Sequence, residues 1–185
     1  MLHEQHIIDV LSRRTTLEFA GEVFRATRLN ADPLAPSSNG GRWAPPGEAD
    51  AGFSVLYTSL EKNGAIAEVA SFLADQTPLP REQELKVTRL AVTAPKTMTF
   101  VEADFPSLEI DSVRFGERDY ERTQKIGAAL IFLGIDGLVA PSARWGCSNL
   151  MIYSDNHSLN DKLEVIEDER VFWRNWAIKH NIIPR

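Results

Sequence analysis

The chain has 185 residues, 43% of them hydrophobic and 25% charged, with a formal net charge of −6. That balance excludes a disordered or fibrous chain and allows one domain that buries roughly two thirds of its unfolded surface without a disulfide or metal. The single cysteine, Cys147, excludes an intramolecular disulfide and fits a reducing compartment.

The opening residues, MLHEQHIIDVLSRR, are polar where a secretory leader needs an unbroken apolar core, so no export is expected. Residues 3 to 13 predict a short amphipathic helix with Ile7, Val10 and Leu11 on one face. His3 and His6 lack the HExxH spacing and a third ligand, so no zinc site is expected there. Glu22 to Thr27 alternates as a strand. Arg28 to Gly52 is a long loop rich in Pro, Gly, Asn, Ser and Asp, of a length that marks either function or disorder.

Ser54 to Ser59 has strand composition, and Thr58 and Glu61 have capping-box spacing for a helix running to about Asp75. Ala67, Ala70 and Leu73 share one face of that helix, and Glu68 lies close to it. Leu85 to Val92 and Thr97 to Val101 predict two strands, followed by an irregular acidic loop between Phe105 and Phe115. A helix over Tyr120 to Leu133 ends at Gly134. Gly137 to Ala140 and Ser148 to Ser154 read as buried strands joined by the loop Pro141 to Gly146. A strand over Leu163 to Phe172 and a short helix over Trp173 to His180 complete an α+β pattern in a single domain spanning 1–185.

The longest apolar stretch, Ile126 to Ile135, is about half of the ~20 residues a membrane helix needs. Lys and Arg are dispersed, so the basic stripe that supplies nucleic-acid affinity is missing and no direct nucleic-acid binding is expected. The expected compartment is the cytoplasm.

No GxGxxG turn and no GxxxxGK[ST] loop is present. What remains is a set of polar residues at strand ends and in the irregular loops, each with two readings. Arg25 is a strand charge or a ligand contact. Arg42, between Gly40-Gly41 and Trp43 in a loop stiffened by Pro45-Pro46-Gly47, belongs to a binding loop or a structural turn. Tyr57 is a core aromatic or a stacking platform, Glu68 a solvated helix charge or an acid, Ser142 a turn residue or a site hydroxyl. Asn149 is a weaker candidate of the same kind. Cys147 has no histidine nearby in sequence and reads as a small buried hydrophobe.

In this order and spacing, Arg25, then Gly41-Arg42-Trp43, Leu56-Tyr57-Thr58, Ala67-Glu68-Val69, Pro141-Ser142-Ala143 and Asn149-Leu150 resemble the RES-domain family, over roughly residues 24–153. Ala26 and the helix start Gly64-Ala65-Ile66 depart from the family's usual pattern. The resemblance implies an ADP-ribosyltransferase-like fold, two small sheets around an NAD cleft with flanking helices. It implies Arg25, Glu68 and Ser142 as catalytic residues, and Arg25, Arg42, Tyr57 and Ser142 as the NAD contacts. NAD is then a substrate, with no cofactor and no metal.

The implied activity is cleavage of the nicotinamide–ribose bond, as an NAD glycohydrolase or phosphorylase, by the toxin of a toxin–antitoxin pair. The implied partner is an Xre-like DNA-binding antitoxin that blocks the cleft. Transfer of ADP-ribose to a protein, and a binding module without activity, are the alternatives.

Overall fold

The computed structural model describes residues 4–46, 53–81 and 84–184. His3, Gly47 and the last part of the long polar loop lie outside them. The elements follow in the order α1 (Gln5–Ser12), β1 (Leu17–Thr27), β2 (Val55–Ser59), α2 (Lys62–Ala74) and β3 (Glu84–Thr99). A 3-10 helix (Glu102–Leu108), α3 (Glu121–Phe132), β4 (Gly137–Pro141), β5 (Ser148–Tyr153), β6 (Leu163–Phe172) and α4 (Trp173–Lys179) complete the α+β domain. No helix of the described residues is long and apolar enough to cross a membrane.

β3 is the spine. Along one edge it pairs antiparallel with β1, and along the other with β6 over Glu84–Val92 before turning to a parallel pairing with β4 at Thr97–Thr99. β4, β5 and β2 then continue antiparallel. The expected two small sheets are therefore two halves, β1-β3-β6 and β2-β5-β4, of one hydrogen-bonded network. Between β1 and β2 the network closes through one register pair, Phe24 with Ser59. Val23, Leu56, Leu90, Val92, Leu150 and Ile152, drawn from both halves, form one buried cluster that holds them together.

Four local readings need correction. The predicted strands 85–92 and 97–101 are one strand, because a bulge opposite Leu17–Phe19 absorbs the interruption at Pro95. The Asp136 carboxylate accepts the Lys96 N–H there at 3.0 and 3.1 Å, so the distorted backbone keeps a partner. With β3 continuous, β1 has something to pair with upstream of Glu22 and begins at Leu17. Thr58 and Glu61 form no capping box. Thr58 sits inside the β2–β5 ladder, where its hydroxyl donates to the Leu150 carbonyl at 2.8 Å, and α2 starts without a side-chain cap. Finally, the acidic stretch after β3 includes a regular 3-10 helix up to Leu108.

Helices flank both halves. α1 and α3 set Ile7, Leu11, Ile126 and Leu130 into a cluster with Leu138 and Met151 of β4 and β5. α2 and α4 pack Ile66, Ala70, Trp173 and Ala177 with Leu85 and Val87 of β3. The small residues along α2 let it lie close to the strands, which is what brings Glu68 to the sheet.

α3 also touches the loop after Gly40. A Cβ on Gly127 would fall 1.9 Å from the Trp43 carbonyl oxygen, so the helix backbone itself is the contact surface. Gly127→Ala should therefore lower stability by about 1–3 kcal/mol in urea unfolding, although alanine is the better helix former by about 1 kcal/mol. A more stable variant would remove this contact from the fold.

Candidate functional site

Glu68 lies in the second turn of α2, and its carboxylate reaches across to the β4–β5 connection. Oε1 accepts hydrogen bonds from Ser142 Oγ at 2.7 Å and Asn149 Nδ2 at 2.8 Å. Asn149 is fixed by its place in the sheet, paired with Ser59 on one side and Ala140 on the other. Its Oδ1 is buried without a partner.

Ser142 closes a tight loop. Its N–H donates to the Cys147 carbonyl at 2.8 Å, and its Oγ accepts the N–H groups of Arg144 (3.1 Å) and Trp145 (3.2 Å) while donating to Glu68. A hydroxyl has one donor and two acceptor positions, so all of its capacity is in use. The loop is braced from outside: the Trp145 ring lies 5.5 Å from Trp176 and 5.2 Å from His180, both at α4. Trp176 Nε1 in turn donates to Asn63 Oδ1, on the same helix as Glu68, at 3.1 Å. The thiol of Cys147 sits 3.3 Å from Ser59 Oγ, and burial pushes its pKa up. The thiol packs against Gly64 and is half-buried, where its sequence context predicted a buried one.

In front of Glu68 is a cavity of about 410 Å3, within the range of small-molecule sites. It opens where β1 and β2 part beyond the Phe24–Ser59 pair. Arg25, Arg42, Tyr57, Glu68 and Asn149 line it, with Phe24, Val69 and Phe72 as an apolar wall. Thus four of the five expected site residues meet at one cavity. Ser142 stands behind Glu68 rather than on the cavity wall.

The Arg25 guanidinium donates to the Pro33 carbonyl at 3.1 Å, and burial pulls its pKa down, partly offset by the charge of Asp32. Arg42 follows the turn at Gly40, whose φ of +77° favours glycine. A Cβ on Gly41 would lie 2.7 Å from Tyr57 Oη, so glycine is what lets this loop reach β2. The Arg42 guanidinium lies over the Phe115 and Tyr120 rings at 4.4 and 4.8 Å and donates to the Glu117 carbonyl at 3.3 Å. Tyr57 Oη accepts the Trp43 N–H at 3.2 Å.

Sequence reasoning missed the aromatic seat of Arg42, since Phe115 and Tyr120 come from a distant segment with no motif. It also passed over Arg144, although this residue stands two positions after Ser142. Glu4 and His6, from the rejected zinc motif, pair with Arg122 and Lys125 and with Glu109, respectively. No cluster that could hold a metal occurs among the described residues.

The model of the RES domain matches residues 22–174. The chain belongs to the RES-domain family. Among solved structures, a chain from the crystal structure of the M. tuberculosis MbcT-MbcA toxin-antitoxin complex superposes with a TM-score of 0.76 at 16% sequence identity, covering 94% of this chain and 96% of that one. At that identity the likeness establishes a shared fold. A search of curated protein sequences gives no match.

Burial raises the phenol pKa of Tyr57 and of fully buried Tyr153 far above the usual tyrosine value. A folded pKa above the unfolded one means that the stability is complete below about pH 10 and is lost as pH rises beyond it. In an alkaline titration, Tyr57 and Tyr153 should ionise only as the fold is lost, with tyrosinate absorbance and loss of circular dichroism rising together. Two tyrosines that ionise in the native protein would contradict their burial.

Proposed function

We propose that this RES-domain protein cleaves the bond between nicotinamide and ribose in NAD and acts as the toxin of a toxin–antitoxin pair in the cytoplasm. The observation that carries this reading is the Glu68 carboxylate, anchored through Oε1 beside a cavity that also receives two guanidiniums. Departure of nicotinamide takes the bonding electron pair with it and leaves positive charge on the anomeric carbon, as in glycoside hydrolysis. A fixed carboxylate lowers the energy of that charge without having to reorganise. Ser142 and Asn149 restrain one oxygen, which leaves Oε2 to face the sugar and to take the proton of the incoming water or phosphate as its oxygen bonds to that carbon.

The remaining residues bind. Arg25 and Arg42 suit the pyrophosphate of NAD, since planar forks of donors engage phosphate oxygens in pairs. Tyr57 offers a ring to the cationic nicotinamide at about 0.5–2 kcal/mol. Ser142 acts by holding Glu68 in its rotamer. The neighbouring fold comes from a toxin–antitoxin complex, which supports an antitoxin partner for this chain as well. With a net charge of −6 the chain offers no attraction to DNA, so a DNA-binding, Xre-like partner would supply that role by itself.

Expression of the wild-type chain without such a partner should deplete cellular NAD and stop growth, and Glu68→Gln should abolish both. Loss of the charge is expected to slow nicotinamide release by about 10²- to 10³-fold with folding and NAD binding kept. Growth arrest at normal NAD would redirect the reading to ADP-ribosylation of a protein, and full activity in Glu68→Gln would end the catalytic assignment. Arg42→Lys keeps the charge but not the fork, and calorimetry should show weaker NAD binding. Equal affinity would take Arg42 out of the substrate site.

A further inference from the structure

Arg14, Arg89, Arg114, Arg118, Arg122 and Arg170 form ion pairs with Asp or Glu. Arg25 and Arg42 line the cavity, and Arg144 follows its lining residue Ala143. Among the described residues, no carboxylate lies within ion-pair distance of Arg25, Arg42 or Arg144. Arg144 Nη1 donates to the Gly116 carbonyl at 2.8 Å, and Arg42 Nη2 to the Glu117 carbonyl at 3.3 Å. The two acceptors belong to consecutive residues, so two guanidiniums converge on one short piece of main chain. Burial lowers the pKa of Arg42, the charge of Glu68 opposes that shift, and the charge of Arg144 adds to it more weakly.

Two like charges near each other raise each other's energy, and the carboxylate of Glu68 offsets this for Arg42 only from beyond ion-pair distance. Carbonyl dipoles compensate only in part, because they carry no net charge and an anion adds a full Coulomb attraction. The aromatic contacts of Arg42 use the guanidinium face and leave its N–H edge for acceptors. A compact anion with oxygens on two phosphorus atoms meets both donors at once.

We infer that Arg144 is a phosphate-binding residue of this cleft, forming with Arg42 a two-guanidinium clamp whose ligand takes the place of the Gly116 and Glu117 carbonyls. The clamp follows from the uncompensated charges. Its assignment to the pyrophosphate of NAD rests on the proposed function, and free inorganic phosphate has the same chemistry.

The test is titration of the full chain with pyrophosphate, ADP and inorganic phosphate, followed by calorimetry and by the arginine Nε–H resonances. Pyrophosphate should shift the resonances of both Arg42 and Arg144 in the wild type. Arg144→Gln should weaken its binding roughly tenfold to a hundredfold, as loss of a charged hydrogen bond predicts. An equal loss for ADP identifies a nucleotide's pyrophosphate as the ligand; a loss confined to inorganic phosphate identifies a free-phosphate site.

An Arg144 resonance that stays fixed with all three anions overturns the inference, and this reading needs no variant to fold. So does unchanged affinity in a folded Arg144→Gln. A wild-type chain that binds pyrophosphate through Arg144 yet releases no nicotinamide from NAD keeps the clamp and ends the proposed reaction.

Discussion

The hydrogen bonds from Ser142 and Asn149 to one oxygen of Glu68 fasten a helix side chain to the strand connection that the β2–β5 ladder already places beside it. Glu68 belongs to a helix that follows β2, whereas Ser142 and Asn149 belong to the connection between β4 and β5 and to β5 itself. A carboxylate on a half-buried helix would otherwise sample several rotamers, at a cost in entropy each time one was required. Here its position is set by a serine that has no bond to spare and an asparagine held in sheet pairing with Ser59 and Ala140. The rest of the architecture can be read as what keeps these partners within reach: small residues that bring α2 onto the strands, and a loop closed on itself behind the carboxylate.

The opposite wall is governed by charge rather than by geometry alone. The chain is acidic overall, yet its guanidiniums at the cavity are met by carbonyls and aromatic rings. Such an arrangement is tolerable because arginine stays charged even when burial lowers its pKa, and because rings stabilise the cation without neutralising it. A salt bridge would have made the same surface more stable and less able to take an anion. The anchored carboxylate of Glu68 lines the same cavity and forms no ion pair with these cations, although its charge acts on Arg42.

Much of this was legible in the residues. Helix and strand patterns gave the alternation of elements, and the family resemblance assigned Arg25, Arg42, Tyr57, Glu68 and Ser142 to one site, of which the first four line one cavity. The errors have physical causes. Proline at position 95 reads as a strand break because sequence does not show that a bulge and the Asp136 carboxylate rescue the pairing. Thr58 reads as a cap because its spacing to Glu61 is right, whereas the demand of the β2–β5 ladder for its side chain is a tertiary matter. Phe115 and Tyr120 carry no local signal, since their partner Arg42 is far away along the chain. Serine at 142 reads as an NAD contact by resemblance, whereas its hydroxyl is taken up by Glu68 and by the N–H groups of Arg144 and Trp145 behind the cavity, a tertiary arrangement with no local signal.

The brace behind that serine lies mostly past the boundary of the family match. The matched segment ends at residue 174, and Trp176 and His180, which pack against Trp145, come after it. A fragment cut at the family boundary would retain Glu68, Ser142 and Asn149 while losing the aromatic stack and the bond from Trp176 to Asn63. Two chains with identical site residues can therefore differ in how firmly they hold them, through a short terminal helix that a motif comparison leaves out. Substitutions in the terminal helix can therefore loosen the support of the Glu68 carboxylate without changing any residue that lines the cavity.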